Sequence, residues 1–326
     1  MHRFGGRQSK IVPASGFSAC RKVPPSLKDS TEHMSTWSKY IVATSVEEAL
    51  EALAAATEVT CLVAGGTDLM LDLQQQDRIS PIHTLVDITN IPELQCIEQR
   101  GNSLFVGACV PLRKIVESTL IRNHALALSE ACGLIGGPQV RNTATLGGNV
   151  AHALPAADGT IALVALDAKV EIAGQTGRRM EPILNIFRGV GQSSLVKGSD
   201  ILVGFHIPTQ SAGQASAFGR VMRPQGVALP VINLAVWLKQ KDQHIEEIRI
   251  AVGPAGPIPQ RASSIEVFLA GKAFTQEALA QAKILVDSTL NFRTSPMRAT
   301  ATYRYHLCKV LLEEIIGNAW QRALMV

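Results

Sequence analysis

Apolar and polar positions follow a strand–helix alternation at the start of the folded chain. Two short apolar runs, Thr60–Val63 and residues 84–88, have the length and composition of buried strands. Ser45, with Glu48 three residues later, forms a capping-box pattern, and apolar residues recur behind it at helical spacing. A shorter helix is predicted at residues 68–76. The pattern therefore predicts a small β-α-β-α-β unit that ends near residue 90.

A second patterned unit follows, up to residue 212. Residues 104–107 are typical of a strand, and Pro111 occupies a position that favours the first turn of a helix. Four further elements are predicted, namely helices at residues 121–132 and 159–166 and strands at residues 169–172 and 201–207. A glycine-rich stretch, residues 140–158, separates these two helices, and we expect it to form a loop.

The last third of the chain changes character, because its strands come first and its helices follow. The predicted strands are residues 215–222, 231–239 and 247–252, and the predicted helices are residues 264–269, 276–285 and 297–316. This order indicates an α+β domain with a three-stranded sheet. We expect a disordered tail at residues 1–34, subdomains at 35–90 and 91–212, and a C-terminal domain at 213–326.

The net charge of +4 is concentrated in the N-terminal tail. Residues 1–34 hold six Lys and Arg and two Asp and Glu, and the rest of the chain holds 25 of each sign. A nucleic-acid-binding protein carries its positive charge on a folded face, so we do not expect nucleic-acid binding. The tail is basic and poor in acidic residues, which favours disorder, and we expect Met34 at its end to be the translation start.

The sequence contains no recognisable membrane span and no metal-binding motif. Its longest apolar stretch, residues 227–238, is interrupted by Pro230 and Asn233 and is too short to cross a bilayer. The six cysteines are scattered without a Cys-x-x-Cys pair, so iron–sulfur and zinc sites are not expected. Free thiols indicate a reducing compartment, and we therefore expect a cytoplasmic protein.

Two glycine segments carry the candidate chemistry. Residues 62–69 join a predicted strand to a predicted helix, and residues 145–149 lie within the glycine-rich stretch. Glycines allow close backbone approach to a ligand and let consecutive amides converge on an anion. One such pair alone more often marks a tight turn. Two pairs in one chain suit a ligand with two linked phosphates, and neither segment is a P-loop or a G-x-G-x-x-G fingerprint.

Three charged residues beside these segments have simpler interpretations. Arg141 can pair with a carboxylate that fixes the second segment, or it can touch phosphate. His152 is expected to be a hydrogen-bonded structural histidine rather than a base, because no partner for acid–base work is recognisable nearby. Asp68 can stabilise the start of the helix that it precedes.

Both glycine segments belong to an ordered set of motifs that resembles one family. It is the FAD-binding medium subunit of the molybdenum hydroxylases, together with the homologous flavin domain of xanthine dehydrogenase. In chain order the matches are LVAGGTDL (62–69), QVRN (139–142), TLGGN (145–149), PAAD (155–158), LDAKV (166–170), ILVGFHIP (201–208), residues 218–223 and 259–262, and RATATYRYHLCKVL (298–311). The resemblance covers residues 35–326.

This resemblance implies two α/β subdomains of the covalent-flavin (PCMH) type with FAD between them, followed by the α+β domain. Both glycine segments would bind the FAD pyrophosphate through backbone amides and hydroxyls. Asp158 would lie near the adenosine part, Ile135 stands where some relatives have an aromatic ring beside the flavin, and Arg220 matches a basic contact residue. The implied cofactor-binding residues are Leu62, Val63, Ala64, Gly65, Gly66, Thr67, Asp68, Leu69, Ile135, Thr145, Leu146, Gly147, Gly148, Asn149, Asp158, Leu202 and Arg220.

An electron-transfer subunit without catalytic or metal-binding residues of its own is the function that the resemblance implies. In the family, a large subunit hydroxylates substrate at a molybdenum–pterin centre, and a small subunit passes electrons through two [2Fe–2S] clusters to FAD and on to NAD⁺ or another acceptor. We expect both partners here, in a dimer of heterotrimers. A stand-alone FAD oxidoreductase of the covalent-flavin superfamily and a flavin-free assembly module are the alternatives.

Overall fold

The structure, a computed structural model, describes residues 37–74, 82–223 and 229–325. The disordered tail predicted at residues 1–34 lies outside the described residues, as does the end of the helix predicted at 68–76. Within the described ranges, no helix is both long enough and apolar enough to cross a membrane. Strands and helices are mixed along the chain, in three main sheets and one small two-stranded ribbon.

Residues 39–87 form a three-stranded parallel sheet with two interspersed helices. The elements are β1 (Lys39–Val42), α1 (Val46–Ala54), β2 (Thr60–Val63), α2 (Leu69–Gln74) and β3 (Thr84–Asp87), and β3 lies between the other two strands. The predicted β-α-β-α-β unit is confirmed. Because the carboxyl ends of parallel strands share one edge of a sheet, the first glycine segment, directly after β2, lies at an edge suited to ligand binding.

The predicted cap of α1 is present, and the helix packs on the neighbouring unit through its buried face. Ser45 Oγ accepts the amide of Glu48 at 3.0 Å, and Glu48 Oε2 accepts the amide of Thr44 at 2.7 Å. The buried face of α1 includes Leu53, which belongs to one hydrophobic cluster with Val203 of the following sheet. The local sequence signal therefore also orients the helix toward the core.

The second unit is built on a five-stranded antiparallel sheet. Its strands are β4 (Ile97–Arg100), β5 (Ser103–Gly107), β6 (Lys169–Gly174), β7 (Gly177–Pro182) and, after the small ribbon of β8 (Phe187–Gly189) and β9 (Gln192–Ser193), β10 (Ile201–Pro208). The spatial order is β4-β5-β10-β6-β7. The strands predicted at 104–107, 169–172 and 201–207 are confirmed. The edge strands β4 and β7 were not predicted, because they are mostly polar and lack a clear apolar pattern.

Helices occupy the long connection between β5 and β6. They are α3 (Leu112–Glu117), α4 (Thr119–His124), α5 (Leu126–Leu134), α6 (Pro138–Thr143), α7 (Leu146–Ala151) and α8 (Asp158–Ala165). The helix predicted at 121–132 is interrupted at Ala125, whose φ of −149° and ψ of 49° are not helical. Pro111 is the N-cap residue of α3, one position before the helix rather than within its first turn. The predicted continuous loop at 140–158 is wrong, because α7 contains the glycine pair.

A four-stranded antiparallel sheet and three helices form the C-terminal part. The strands β11 (Gln214–Met222), β12 (Pro230–Lys241), β13 (His244–Gly253) and β14 (Gln260–Arg261) pair in chain order, and α9 (Ser263–Leu269), α10 (Gln276–Thr289) and α11 (Ala301–Ala323) follow or flank them. The α+β order is confirmed. The predicted number of three strands is wrong, because the two-residue β14 pairs with β13 and is too short to show a periodicity.

One hydrophobic core joins the second unit to the C-terminal sheet. All of α8 is buried, and its Ile161 belongs to the same cluster as Phe218 of β11 and Trp237 of β12. The Ser216 hydroxyl of β11 also accepts the amide of Ala127 at 3.1 Å. Burial of apolar surface of this kind is the main favourable term in folding. The two sequence units that meet at residue 212 therefore share a core, and the boundary between them stays a prediction.

Candidate functional site

A cavity of about 860 Å³ opens where the three parts of the chain meet. Its lining includes Gly65 from the first unit, Gly148 and Leu202 from the second, and Arg220 and Arg304 from the C-terminal part. The volume lies in the upper part of the range of roughly 300–1,000 Å³ that is usual for small-molecule sites. The cavity is therefore large enough for an extended ligand that contacts every part of the chain.

The first glycine segment offers free backbone donors to this cavity. The amides of Gly65, Gly66, Thr67 and Asp68 donate to no other residue of the described chain, and all four residues line the cavity. Gly66 has a φ of +66°, in the left-handed region that favours glycine. Unpaired amides beside a cavity are ready partners for the oxygens of an anion.

The second glycine segment differs from the expected open loop. Thr145 is the N-cap of α7, and its Oγ1 accepts the amide of Gly148 at 3.1 Å. The amide of Gly147 donates to Ala108 O at 2.8 Å, and that of Asn149 donates to Thr145 O at 3.1 Å. These amides are thus already paired within the protein. The segment presents a close backbone surface and a hydroxyl rather than a row of free donors.

The first glycine segment contacts residues on either side of the second one. A Cβ atom on Gly65 would lie 2.3 Å from Thr143 O, so a side chain there would force the segments apart. Asp68 Oδ2 also lies 3.4 Å from His152 Nδ1, at the end of α7. This hydrogen bond raises the pKa of His152 and lowers the pKa of Asp68. His152 thus has a structural partner, which sequence spacing did not reveal because Asp68 is distant in the chain.

Asp158 and Arg220, both expected to contact the cofactor, contact each other. Asp158 Oδ2 accepts from Arg220 Nη1 at 2.5 Å, and its Oδ1 accepts from Asn233 Nδ2 at 2.7 Å. Arg220 Nη2 donates to Leu134 O, so its head group bridges α8 and the end of α5. Burial raises the pKa of the Asp158 carboxyl, while Arg220 and Asn233 oppose this shift. The pair also joins the second unit to the C-terminal sheet.

The remaining predicted residues lie at the cavity with one exception. Ile135 is half-buried, and Leu202 contributes an apolar surface from β10. Leu146 does not line the cavity, because its side chain is fully buried in the core of the second unit. Arg141 donates to the carbonyls of Ile135 at 3.1 Å and Gly136 at 2.6 Å. It therefore fixes the preceding turn through carbonyls and pairs with no carboxylate of the described residues.

Sequence reasoning missed several polar residues that line or support the cavity, among them one amide and three arginines. Asn233 is fully buried in β12 and holds Asp158, and its signal was an amide inside an otherwise apolar strand. Arg293, Arg298 and Arg304 line the cavity from the C-terminal part. Arg298 and Arg304 lie within the RATATYR motif, but no pattern in one sequence shows that they face the glycine segments.

The cavity lacks groups for metal or thiol chemistry within the described residues. No cluster of three or more His, Cys, Asp or Glu is placed to hold a metal ion there. Cys109 lines the cavity, but burial raises the pKa of its thiol to about 12, so it is protonated and unreactive at neutral pH. This fold and site define the class of proteins that bind a large phosphate-containing cofactor.

Family comparisons identify that cofactor. Residues 33–210 match the FAD binding domain in molybdopterin dehydrogenase, and residues 216–319 match the CO dehydrogenase flavoprotein C-terminal domain. The chain belongs to the family of FAD-binding medium subunits of molybdenum hydroxylases. FAD is its cofactor, and the chain is an oxidoreductase subunit of this family.

Individual relatives agree along nearly their whole length. The chain is 29% identical to the carbon monoxide dehydrogenase medium chain of Hydrogenophaga pseudoflava, over 87% of this chain and 97% of that one. It is 31% identical to the xanthine dehydrogenase FAD-binding subunit of Escherichia coli O157:H7, over 79% of this chain and 88% of the relative. It is 30% identical to the nicotine 6-hydroxylase medium subunit of Paenarthrobacter nicotinovorans, over 87% and 98%.

Solved structures show the same fold. The carbon monoxide dehydrogenase from Hydrogenophaga pseudoflava that lacks the Mo-pyranopterin moiety superposes with a TM-score of 0.81 at 28% identity, covering 87% of this chain and 98% of the other. Quinoline 2-oxidoreductase from Pseudomonas putida 86 gives a TM-score of 0.80 at 26% identity, covering 88% and 98%. The predicted fold class is therefore confirmed.

Proposed function

We propose that FAD lies in the cavity with its pyrophosphate between the two glycine segments. The free amides of Gly65, Gly66 and Thr67 support hydrogen bonds to phosphate oxygens. Gly147 and Gly148 give a backbone surface without side chains, on which the pyrophosphate can approach closely. In this arrangement the first segment supplies most donors, and the Thr145 cap holds the second segment in place.

We further propose that Asp158 and Arg220 act on the cofactor as a pair. Arg220 fixes the Asp158 carboxylate, which uses one lone pair on each oxygen for Arg220 and Asn233. The remaining lone pairs would accept a hydrogen bond from a hydroxyl on the adenosine side of FAD. Ile135 and Leu202 would contact the rings through apolar surface. Leu146 would contribute through its backbone and through packing of α7, since its side chain is buried away from the cavity.

Electron transfer is the role that this site supports best. Bound flavin supplies the redox chemistry, and its protein provides position and electrostatic environment. The carrying observation is a cavity that combines free amides and glycine surfaces with no metal-ligand cluster among the described residues. We propose that electrons arrive from [2Fe–2S] clusters of a small partner subunit and leave through FAD to NAD⁺ or another acceptor.

The same proposal includes a large molybdopterin-binding partner that oxidises substrate, in a dimer of heterotrimers. The relatives named as medium chains or medium subunits support a place in a larger complex. We propose the cytoplasm as the compartment, because the five cysteines of the described chain are free thiols.

Reconstitution with the partner subunits tests this function. The chain is co-expressed with the large and small subunits of its own complex, and flavin reduction is followed anaerobically after substrate is added. We expect reduction in the full complex and none when the small subunit is omitted. Flavin reduction by substrate in the isolated chain would reject the subunit role and favour a stand-alone oxidoreductase. A chain that joins the complex without binding FAD would favour an assembly module.

A further inference from the structure

Three arginines converge on the part of the cavity formed by the C-terminal residues. Arg293, Arg298 and Arg304 all line the cavity. Arg304 lies in the first turn of the 23-residue helix α11, whose N-cap is Thr300, and only 2% of its surface is exposed. Arg293 is exposed and Arg298 is half-buried. A buried arginine is thus flanked by two accessible ones at a single wall.

Two donor atoms of Arg304 have no acceptor among the described residues. Its Nε and Nη1 atoms are buried and make no hydrogen bond to any atom of the described chain. Burial lowers the pKa of this guanidinium, and the nearby positive charges of Arg298 and Arg293 lower it further. The N-terminal end of α11 adds a partial positive charge at the same place. A buried, unpaired cation is costly, and native structures rarely keep one without a partner.

No carboxylate at the cavity compensates these charges. The lining within the described residues contains Asp68, Asp158 and Asp200, and each has another partner. Those partners are His152, Arg220 and Arg179, respectively. The three arginines therefore carry an excess of positive charge that faces a cavity large enough for an extended ligand.

We propose that Arg293, Arg298 and Arg304 form a phosphate-binding site for a nucleotide in the cavity. Arginine presents planar pairs of N–H groups that match phosphate oxygens, and the amides at the start of α11 favour the same anion. The phosphate has two sources: the pyrophosphate of FAD, which the arginines would bind together with the glycine segments, or a phosphate of a second nucleotide that exchanges electrons with the flavin. This inference rests on the proposed function, because it requires that a nucleotide binds in this cavity.

The test uses inorganic pyrophosphate and FAD as probes of the full-length chain. Calorimetry measures pyrophosphate binding to the FAD-free and FAD-loaded protein, and quenching of flavin fluorescence measures FAD affinity. The variants are Arg293→Gln, Arg298→Gln and Arg304→Met. The control is Arg122→Gln, which removes an exposed positive charge of α4 away from the cavity lining. Circular dichroism checks the fold of each variant.

Two results support the phosphate site and separate its sources. For a second nucleotide, the FAD-loaded protein binds pyrophosphate, and Arg298→Gln and Arg304→Met each weaken that binding by at least about tenfold while FAD affinity is unchanged. For FAD itself, the loaded protein does not bind pyrophosphate, and the same variants weaken FAD binding by at least about tenfold. Arg122→Gln leaves both affinities unchanged in either case.

The proposal is overturned if pyrophosphate and FAD affinities of the folded variants stay within about twofold of the unmodified chain, as for ordinary surface substitutions. If Arg304→Met does not fold, Arg298→Gln and Arg293→Gln decide, because their side chains are less buried. Failure of the proposed flavin function would give a different result in the same binding measurements. In that case the chain binds no FAD, yet the FAD-free protein binds pyrophosphate in an arginine-dependent way.

Discussion

Asp158 shows what a single residue's sequence context can and cannot reveal. Its place at the end of the PAAD motif predicts a role at the cofactor, and the residue does line the cavity. Its partner Arg220 follows 62 residues later, and Asn233 lies in a different strand. Pairings over such distances depend on strand order and helix packing, so one sequence without relatives cannot specify them. The glycine segments were easier to predict as binding elements, because close backbone approach depends on the glycines themselves and on no distant partner.

Substitution of Asp158 tests the pair directly. Asp158→Ala leaves Arg220 without its carboxylate partner, and only 8% of the Arg220 side chain is exposed. Removing one partner of a buried ion pair costs about 3–5 kcal/mol, so we expect a loss of that size in the free energy of unfolding. Urea titration of the FAD-free protein measures it. Asp287→Ala, which breaks an exposed pair with Lys309, should cost far less. Equal losses would show that Asp158–Arg220 is energetically an ordinary surface pair.

Gly65 is predicted to be indispensable for the contact between the first glycine segment and the backbone that precedes the second one. A Cβ at this position meets Thr143 O at 2.3 Å, so Gly65→Ala should cost about 1–3 kcal/mol of stability through overpacking and should also weaken FAD binding. Gly317→Ala is the matched control. Gly317 lies in α11, and a Cβ at this position meets nothing within 4 Å. It should stabilise the chain by about 0.5–1 kcal/mol. Unchanged stability and FAD affinity in Gly65→Ala would contradict the packing described.

At the level of elements, α7 explains why the glycine-rich stretch was misassigned. Two successive glycines lower helix propensity, so sequence alone favours a loop. Thr145 caps the helix, while Leu146 and Val150 are buried on its inner face. Tertiary packing thereby overcomes the propensity of the glycines. The helix in turn leaves the side-chain-free surface of Gly148 at the cavity.

Removal of the α7 cap separates helix stability from cofactor binding. Thr145→Val deletes the hydroxyl that accepts the Gly148 amide and should cost about 0.5–2 kcal/mol of unfolding free energy. Thr275→Val deletes the equivalent cap of α10, where Oγ1 accepts the Ala278 amide at 3.2 Å. Both variants should lose similar stability, but FAD affinity should fall in Thr145→Val alone. A similar fall in both would mean that global stability, not α7, controls FAD binding.

The contact between Asp68 and His152 predicts a pH dependence of stability. The pKa of His152 is raised above its ordinary 6.5, so its contribution is complete below pH 6.5 and disappears as pH rises through the shifted value. The pKa of Asp68 is lowered below 3.8, so its contribution is lost as pH falls through that lower value. The stability difference between the unmodified chain and His152→Gln, measured by urea unfolding at several pH values, should be largest in mildly acidic solution and shrink above neutrality. A pH-independent difference would contradict the pairing.

For the molecule as a whole, local patterns predicted the fold class and the order of most elements. They did not show that β10 lies between β5 and β6, nor that α8 packs against β12, because those contacts join distant segments. The cavity arises where these long-range contacts meet. The glycine segments were predicted as binding elements because their pattern is local. The arginines of the C-terminal part were missed because only long-range packing brings them to the cavity.

The visible absorption spectrum of the purified chain, recorded after incubation with FAD and desalting, tests the central claim most directly. We expect a flavin spectrum equimolar with the unmodified chain. Gly148→Val should retain much less flavin because its side chain enters the cavity. Circular dichroism checks its fold, since a Cβ there lies 3.2 Å from Thr145 Oγ1 and this cap hydroxyl must shift. A colourless unmodified chain, or full flavin content in Gly148→Val, would contradict the account of how this cavity binds FAD.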